Sequence, residues 1–153
     1  MSRVQLALNV SDVDAAVAFY SRLFGVAPAK RRPGYANFAI DEPALKLVLI
    51  ENAAAPGTLN HLGVEVSSSG EVAAAQARLA GEGLATATEE NVSCCYAVQD
   101  KVWVSDPDSA PWEIYTVLAD AKIMGCGPDD ATAGAAADDG AGAVCCASVT
   151  DGC

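Results

Sequence analysis

Two segments of the chain alternate apolar and polar residues with the period of two that is typical of a half-buried β-strand. One covers residues 4–10 and the other residues 61–66. In each segment the apolar side chains share one face: Leu6, Leu8 and Val10 in the first, Leu62, Val64 and Val66 in the second. Gln5 and His61 lie on the opposite face of their strands. The pattern therefore predicts two similar strands, each with one face suited to a core.

The similarity continues beyond the strands, which indicates an internal repeat. Gln5 falls on His61 at an offset of 56 residues. At the same offset pairs of identical residues coincide, such as Ser11 with Ser67, Arg22 with Arg78, Leu23 with Leu79 and Gly25 with Gly81. We therefore interpret the chain as two copies of one structural unit.

A helix is predicted after the opening strand of each copy. Apolar residues recur at helical spacing in both: Val13, Val17, Tyr20 and Phe24, then Val72, Ala75 and Leu79. Ser11 with Asp14, and Ser68 with Glu71, predict the N-terminal caps of these helices. The matched glycines, Gly25 and Gly81, suit their C-terminal ends.

Short apolar segments after each helix predict further strands, at residues 36–40 and 45–50, then 96–104 and 112–117. The sequence thus predicts an α+β fold of two tandem βαβββ modules, at about residues 2–52 and 58–120, within one domain over residues 1–122. The strand faces turned away from the helices should line a shared cleft. Gly, Ala and Asp dominate residues 123–153, which we interpret as a flexible, cysteine-containing tail.

Charge and composition exclude several classes of partner. The net charge of −11 opposes binding to nucleic acid or to an anionic membrane surface. No segment approaches the roughly 18 consecutive apolar residues that a membrane span requires. The first residues run directly into a strand pattern, without the features of a signal peptide. These features together predict a cytoplasmic protein.

Six cysteines are present, and their distribution argues against a disulfide framework. Two adjacent pairs and two single residues make up the set: Cys94 and Cys95, Cys145 and Cys146, Cys126, and Cys153. Neighbouring residues of an extended chain point to opposite faces, so adjacent cysteines bridge poorly. In a reducing compartment, clustered thiols more often bind soft metals or take part in redox chemistry.

The inward faces of the predicted strands carry a candidate metal site. Gln5 and His61 occupy equivalent places in the two modules, and Glu113 lies in the last predicted strand. An imidazole, a carboxylate and an amide oxygen suit a first-row divalent metal and leave open positions. Each residue alone has a plain structural interpretation, as a core histidine or a solvated polar side chain. Their joint placement in a repeated unit favours the metal site.

The two modules, the placement of the three candidate ligands and the turn before Trp112 resemble the vicinal-oxygen-chelate superfamily of glyoxalases, bleomycin resistance proteins and extradiol dioxygenases. The resemblance covers residues 2–120. Within that superfamily the chain has a closer resemblance to the arsenic-inducible C–As lyases and the related cadmium-induced proteins. Four segments carry this similarity: residues 3–10, residues 30–38, residues 59–66 and residues 94–104.

The resemblance implies a non-haem Fe(II) enzyme that uses O₂ as co-substrate. Its substrate would be a trivalent organoarsenical such as methylarsenite, and inorganic arsenite would be released. Gln5, His61 and Glu113 would be the iron ligands and form the catalytic centre. Cys94 and Cys95 would bind the substrate arsenic, which is soft and thiophilic. A bent loop at residues 93–95 could turn both sulfurs to one side.

Other interpretations remain open at the level of sequence. Cys94 and Cys95 could be an inert buried pair, since cysteine packs well as a small hydrophobe. The protein could sequester cadmium or arsenic through its thiols without turnover. A glyoxalase-like isomerase would need a fourth ligand near Lys46 or Leu47, and neither is a carboxylate. The tail cysteines are expected to be incidental or auxiliary. Whether the two modules pair within one chain or across a homodimer is left undecided.

Overall fold

The computed structural model of the protein describes residues 2–122. The predicted tail, with its four cysteines, lies outside the described residues. Within these residues, ten elements follow one another in chain order: β1 (Arg3–Val10), α1 (Val13–Phe24), β2 (Lys30–Arg32), β3 (Tyr35–Ile40), β4 (Leu45–Glu51), β5 (Leu59–Glu65), α2 (Ser69–Gly81), β6 (Ala87–Cys94), β7 (Ala97–Ser105) and β8 (Pro111–Asp120).

The eight strands form one mixed sheet, in the order β2-β3-β4-β1-β5-β8-β7-β6, that curls into a half-barrel. Each module contributes four neighbouring strands, and the modules meet where β1 pairs antiparallel with β5. Leu6 pairs with Leu62, its equivalent in the repeat, so a pseudo-twofold axis passes between them. The predicted α+β fold of two βαβββ modules is confirmed.

The two helices cover the convex face of the sheet. In the first module, α1 and the sheet share a core of seven buried residues: Val13, Val17, Ala36, Phe38, Ile40, Leu47 and Leu49. Complete burial of a side chain such as Phe38 or Leu49 contributes about 1.5–3 kcal/mol. In the second module α2 buries Val72 and Leu79. Within residues 2–122, no helix has the length and apolarity to cross a membrane.

The helix ends correct part of the sequence interpretation. The N-cap of α1 is Asp12, not Ser11: its extended backbone lets the carboxylate accept from the backbone N–H groups of Asp14 and Ala15. Ser68 caps α2, as predicted. Gly25 ends α1 in the left-handed conformation. In α2 the helix continues through Gly81, and the left-handed glycine comes two residues later.

Two strands were not predicted from the sequence. They are β2 and β6, the first and last strands of the sheet order. Both are polar for most of their length, with the sequences KRR and ATEENVSC. Charged residues on an edge strand discourage pairing with other chains. They also interrupt the alternation of apolar and polar residues by which a half-buried strand is recognised in a sequence.

Candidate metal and thiol site

Strand register brings two of the predicted ligands together on the concave face. Gln5 of β1 lies opposite Gly63 of β5, and Gly63 lies opposite Glu113 of β8. A Cβ atom on Gly63 would lie 3.0 Å from Cγ of Glu113 and 3.4 Å from Cβ of Gln5. The glycine therefore leaves room for the side chains of Gln5 and Glu113 to meet above it.

His61 completes the group from two residues earlier on the same strand. Its Nε2 lies 2.9 Å from Nε2 of Gln5 and 3.3 Å from Oε1 of Glu113. Nε2 of Gln5 donates to the same Oε1 over 2.6 Å. All three residues are buried, with exposures of 2–4%. The structure thus brings the three candidate ligands into direct contact, on the shared concave face expected from the sequence.

Lys101 is a member of this group that sequence reasoning missed. It is 1% exposed in β7, and its Nζ lies 3.1 Å from Oε2 of Glu113. Burial alone would raise the pKa of the Glu113 carboxyl, but the ammonium of Lys101 more than offsets this effect and holds that pKa below its ordinary value. Glu113 is therefore held ionised. The sequence did contain a signal for Lys101: Gln99, Lys101 and Trp103 occupy alternate positions of β7 and therefore share its inward face.

Tyr115 is a second residue that was missed. It lies two residues after Glu113 in β8, is fully buried, and donates its hydroxyl hydrogen to Oε1 of Gln5. Burial raises the pKa of this phenol far above its ordinary value, so the hydroxyl stays protonated. Because a phenol both donates and accepts, Tyr115 can support either orientation of the Gln5 amide.

Cys94 and Cys95 lie at the tight turn between β6 and β7. Cys95 and Tyr96 occupy its central positions, with φ values of 53° and 62°. This combination matches a type I′ turn, which usually selects Asn and Gly. Left-handed backbone costs about 1–2 kcal/mol for each residue with a Cβ atom. The two sulfurs are 3.3 Å apart, well beyond a disulfide bond. The turn therefore presents two neighbouring thiols.

The thiol turn folds over the concave face of the first module. Tyr96 and Cys95 pack against an apolar group on that face: Ala7, Tyr35, Val48 and Ile50. Lys30 anchors the turn by donating to the carbonyl oxygen of Tyr96 over 3.0 Å. Burial raises the pKa of the Tyr35 and Tyr115 phenols, and the nearby charge of Glu113 adds to the rise in each. Because Ala7 lies two residues after Gln5 on the same face of β1, the thiol turn and the three candidate ligands lie on one concave face.

The position equivalent to Glu113 in the first module is Val48, not Lys46 or Leu47. Gly63 corresponds to Ala7 in the repeat; Gly63 pairs with Glu113, and Ala7 pairs with Val48. Val48 is buried and apolar. The positions predicted from the sequence lie one or two residues before the equivalent one. Val48 is not a carboxylate either, so the prediction that the first module offers no carboxylate at this position is correct.

Comparison with known proteins agrees with this architecture. The profile of the Glyoxalase/Bleomycin resistance protein/Dioxygenase superfamily matches residues 3–114. The chain is 58% identical to the cadmium-induced protein CadI of Mycobacterium bovis, over 95% of this chain and 93% of that protein. It is 56% identical to the trivalent organoarsenical cleaving enzyme of Thermomonospora curvata, over 95% of this chain and all of that protein. The Mn(II)-bound glyoxalase from Novosphingobium aromaticivorans shares the fold, with a TM-score of 0.57 at 23% identity over 79% of this chain and 42% of that one.

Proposed function

The chain belongs to the Glyoxalase/Bleomycin resistance protein/Dioxygenase superfamily, and from that premise we propose that it is a C–As bond lyase that uses Fe(II) and O₂. The substrate class is trivalent organoarsenicals, of which methylarsenite is the simplest probe. The product is inorganic arsenite. The observation that carries the proposal is the convergence of Gln5, His61 and Glu113 in the cleft over which Cys94 and Cys95 fold. The 56% identity to a trivalent organoarsenical cleaving enzyme supports the substrate class.

The chemistry and spacing of the three side chains fit a divalent first-row metal. Atoms bound at right angles to one ion, with bonds of about 2.1 Å, lie about 3.0 Å apart. The separations within the group are 2.6, 2.9 and 3.3 Å. Turning the Gln5 amide exchanges its nitrogen and oxygen, so that the carbonyl oxygen faces the other two ligands. Iron held by this set would supply the redox chemistry with O₂ that cleavage of the C–As bond requires.

Each remaining group has a part that follows from its position. A trivalent monoalkyl arsenical has two exchangeable positions, and thiolates at Cys94 and Cys95 can occupy both while the organic group stays attached. The 3.3 Å between the sulfurs suits a single bridging atom. Lys101 keeps Glu113 ionised and neutralises part of its charge. Binding of the substrate arsenic beside the proposed metal ligands would hold the reacting groups close together.

Turnover in air and under nitrogen tests the proposal directly. Fe(II)-loaded protein and methylarsenite should give inorganic arsenite in air only. His61→Ala should lose iron and activity together, whereas Cys95→Ser should keep its iron and lose turnover. Cys126→Ser is the matched thiol control and should retain activity, as should deletion of residues 123–153. Arsenite release that does not depend on O₂, or full activity in His61→Ala, would contradict the proposal.

A second candidate is a thiol-based resistance protein that sequesters cadmium or arsenic without turnover. The two thiols held 3.3 Å apart and the 58% identity to a cadmium-induced protein favour it. Tight binding of arsenite or Cd(II) with no O₂-dependent product would select this function. A glyoxalase-like isomerase is disfavoured because Val48 occupies the position where such an enzyme would need its fourth ligand. Turnover of methylglyoxal with glutathione would instead support the isomerase.

A further inference from the structure

A chain of hydrogen bonds runs from the far side of His61 to the backbone before β5. Nδ1 of His61 lies 2.7 Å from Oδ1 of Asn60. Nδ2 of Asn60 donates to Oδ1 of Asn9 over 2.9 Å. Nδ2 of Asn9 donates to the Thr58 hydroxyl oxygen over 2.9 Å, and that hydroxyl donates to the carbonyl oxygen of Ala55 over 2.6 Å. No bond of this chain touches the Cys94–Cys95 turn.

The donor and acceptor of every hydrogen bond in this series are fixed by its outer end, at Ala55. The backbone carbonyl of Ala55 can only accept, so the Thr58 hydroxyl must donate to it and accept from Asn9. Asn9 thereby presents its carbonyl oxygen to Asn60, and Asn60 presents its own carbonyl oxygen to His61. Nδ1 of His61 must therefore carry the proton.

The inner end of this series of hydrogen bonds is compatible with the same protonation. Nε2 of Gln5 donates to Glu113 and lies 2.9 Å from Nε2 of His61, which can accept its second hydrogen. Because the Gln5 amide can turn, it does not fix the tautomer by itself, and the proton on Nδ1 depends on Asn60. The Nδ1–H tautomer is the one able to bind a metal through Nε2.

We infer that Asn60 is a positioning residue, which fixes His61 in the tautomer whose Nε2 lone pair faces Gln5 and Glu113. The inference rests on the proposed metal site. The competing tautomer has an acceptor within reach, since Oε1 of Glu113 lies 3.3 Å from Nε2 of His61. An Nε2–H group would donate to that carboxylate. Nε2 of His61 and Oε1 of Glu113 would then be hydrogen-bonded to each other and not available to a metal. Asn60 prevents this by holding the proton on the opposite nitrogen.

A β-bulge explains how Asn60 reaches the same side as the histidine that follows it. Adjacent residues of a regular strand point to opposite faces. Here Ala7 pairs with His61 but Leu8 pairs with Leu59, so Asn60 is an extra residue on the β5 side of the ladder. Bulges redirect single side chains and are frequent beside functional sites. The irregularity therefore serves the hydrogen bond between Asn60 and His61.

The tautomer can be observed without any metal, because His61 is the single histidine of the chain. In protein labelled with ¹⁵N-histidine, metal-free and in the neutral imidazole form, the two ring nitrogens give one pair of resonances. The wild type should carry its proton on Nδ1. Asn60→Leu should move the proton to Nε2, whereas Asn60→Asp, which keeps an acceptor, should leave it on Nδ1. Asn37→Leu, another asparagine of the cleft that contacts Tyr35 instead, is the matched control and should change nothing.

Metal affinity provides the second measurement, with Mn(II) as the probe. Loss of a hydrogen-bond partner behind a ligating histidine typically weakens metal binding by about 10–100-fold. We expect that loss for Asn60→Leu and near-wild-type affinity for Asn60→Asp and Asn37→Leu. A wild-type proton on Nε2, or an unchanged tautomer in Asn60→Leu, would overturn the inference. If the tautomers behave as stated but no variant, including wild type, binds Mn(II) or Fe(II), the proposed function fails and the role of Asn60 in setting the tautomer stands.

Discussion

The two modules have the same strand pattern but opposite chemistry on their concave faces. Strand register identifies three pairs of equivalent positions: Val48 and Glu113, Tyr35 and Lys101, and Ile50 and Tyr115. In the first module these positions hold a buried, mainly apolar group on which the thiol turn packs. In the second they hold an ionised carboxylate, its ammonium partner and a phenol directed at Gln5.

This difference shows how one repeated scaffold can supply two kinds of surface to a single cleft. The repeat determines where side chains point, because equivalent strands lie symmetrically about the Leu6–Leu62 pair. The residue type then decides what each half of the cleft does. One half supports the thiols, and the other holds two of the three proposed metal ligands, His61 and Glu113. The following substitutions test this division, in order of decreasing expected effect.

Lys101→Met should have the largest effect on stability, since it leaves the carboxylate of Glu113 buried without its ammonium partner. Breaking a buried ion pair from one side costs about 3–5 kcal/mol. We expect a loss of that size in the free energy of unfolding of metal-free protein, measured with urea. Mn(II) should restore part of it, because the ion supplies positive charge to Glu113. The matched control is Tyr35→Phe at the equivalent position, which removes one hydrogen bond to Asn37 and should cost about 1 kcal/mol. Equal losses of unfolding free energy in Lys101→Met and Tyr35→Phe would contradict the division into an apolar first half and an ionic second half of the cleft.

Gly63→Ala makes the modules identical at one position, because the equivalent residue of the first module is Ala7. The added methyl group would press on Cγ and the backbone oxygen of Glu113, at 3.0 and 3.1 Å. Overpacking of this kind costs about 1–3 kcal/mol. We also expect weaker Mn(II) binding, since the ligands must move apart. Gly81→Ala is the control: nothing lies within 4 Å of its Cβ position, so the change should be neutral or stabilise α2 by up to about 1 kcal/mol. Unchanged Mn(II) affinity in Gly63→Ala would show that the glycine is not needed at the site.

The helix caps should give the smallest difference between the modules. Asp12 accepts two backbone N–H groups at 2.8 and 2.9 Å, whereas the Ser68 hydroxyl accepts one at 3.3 Å. Replacement of a capping residue by alanine costs about 0.5–2 kcal/mol. Asp12→Ala should lie toward the upper end of that range and Ser68→Ala toward the lower, as measured by thermal or urea unfolding. Ser11→Ala should have little effect; a larger loss there than in Asp12→Ala would restore the cap first predicted from the sequence.

Much of the fold and the grouping of the three proposed ligands on one face could be predicted because they depend on periodicity. Alternation in β1 and β5 assigns Gln5 and His61 to one face, and the offset of the repeat makes them equivalent. Alternation in the last strand adds Glu113 to the same face. Two-residue periodicity survives in sequence wherever a strand has one apolar face, so these assignments needed no knowledge of strand order.

The remaining features depend on pairing between distant segments, which no local pattern records. The bulge that redirects Asn60 exists only where β5 pairs with β1. The partner of Lys101 lies on another strand, and its charge would ordinarily predict exposure. The bend expected at residues 93–95 lies slightly later, at Cys95 and Tyr96, and this turn lacks the Asn or Gly by which type I′ turns are recognised. Each omission thus follows from tertiary contacts that override a local preference.

The left-handed backbone of Cys95 and Tyr96 means that the two thiols become ordered when the protein folds, and not when a ligand binds. Flexible side chains that gather around a ligand lose conformational freedom at the moment of association, and this reduces affinity. Here the hairpin brings the two sulfurs side by side during folding, and packing of the turn on the sheet offsets the unfavourable dihedral angles. Under the proposed function, a thiophilic atom would therefore bind to two thiols that folding has already placed side by side.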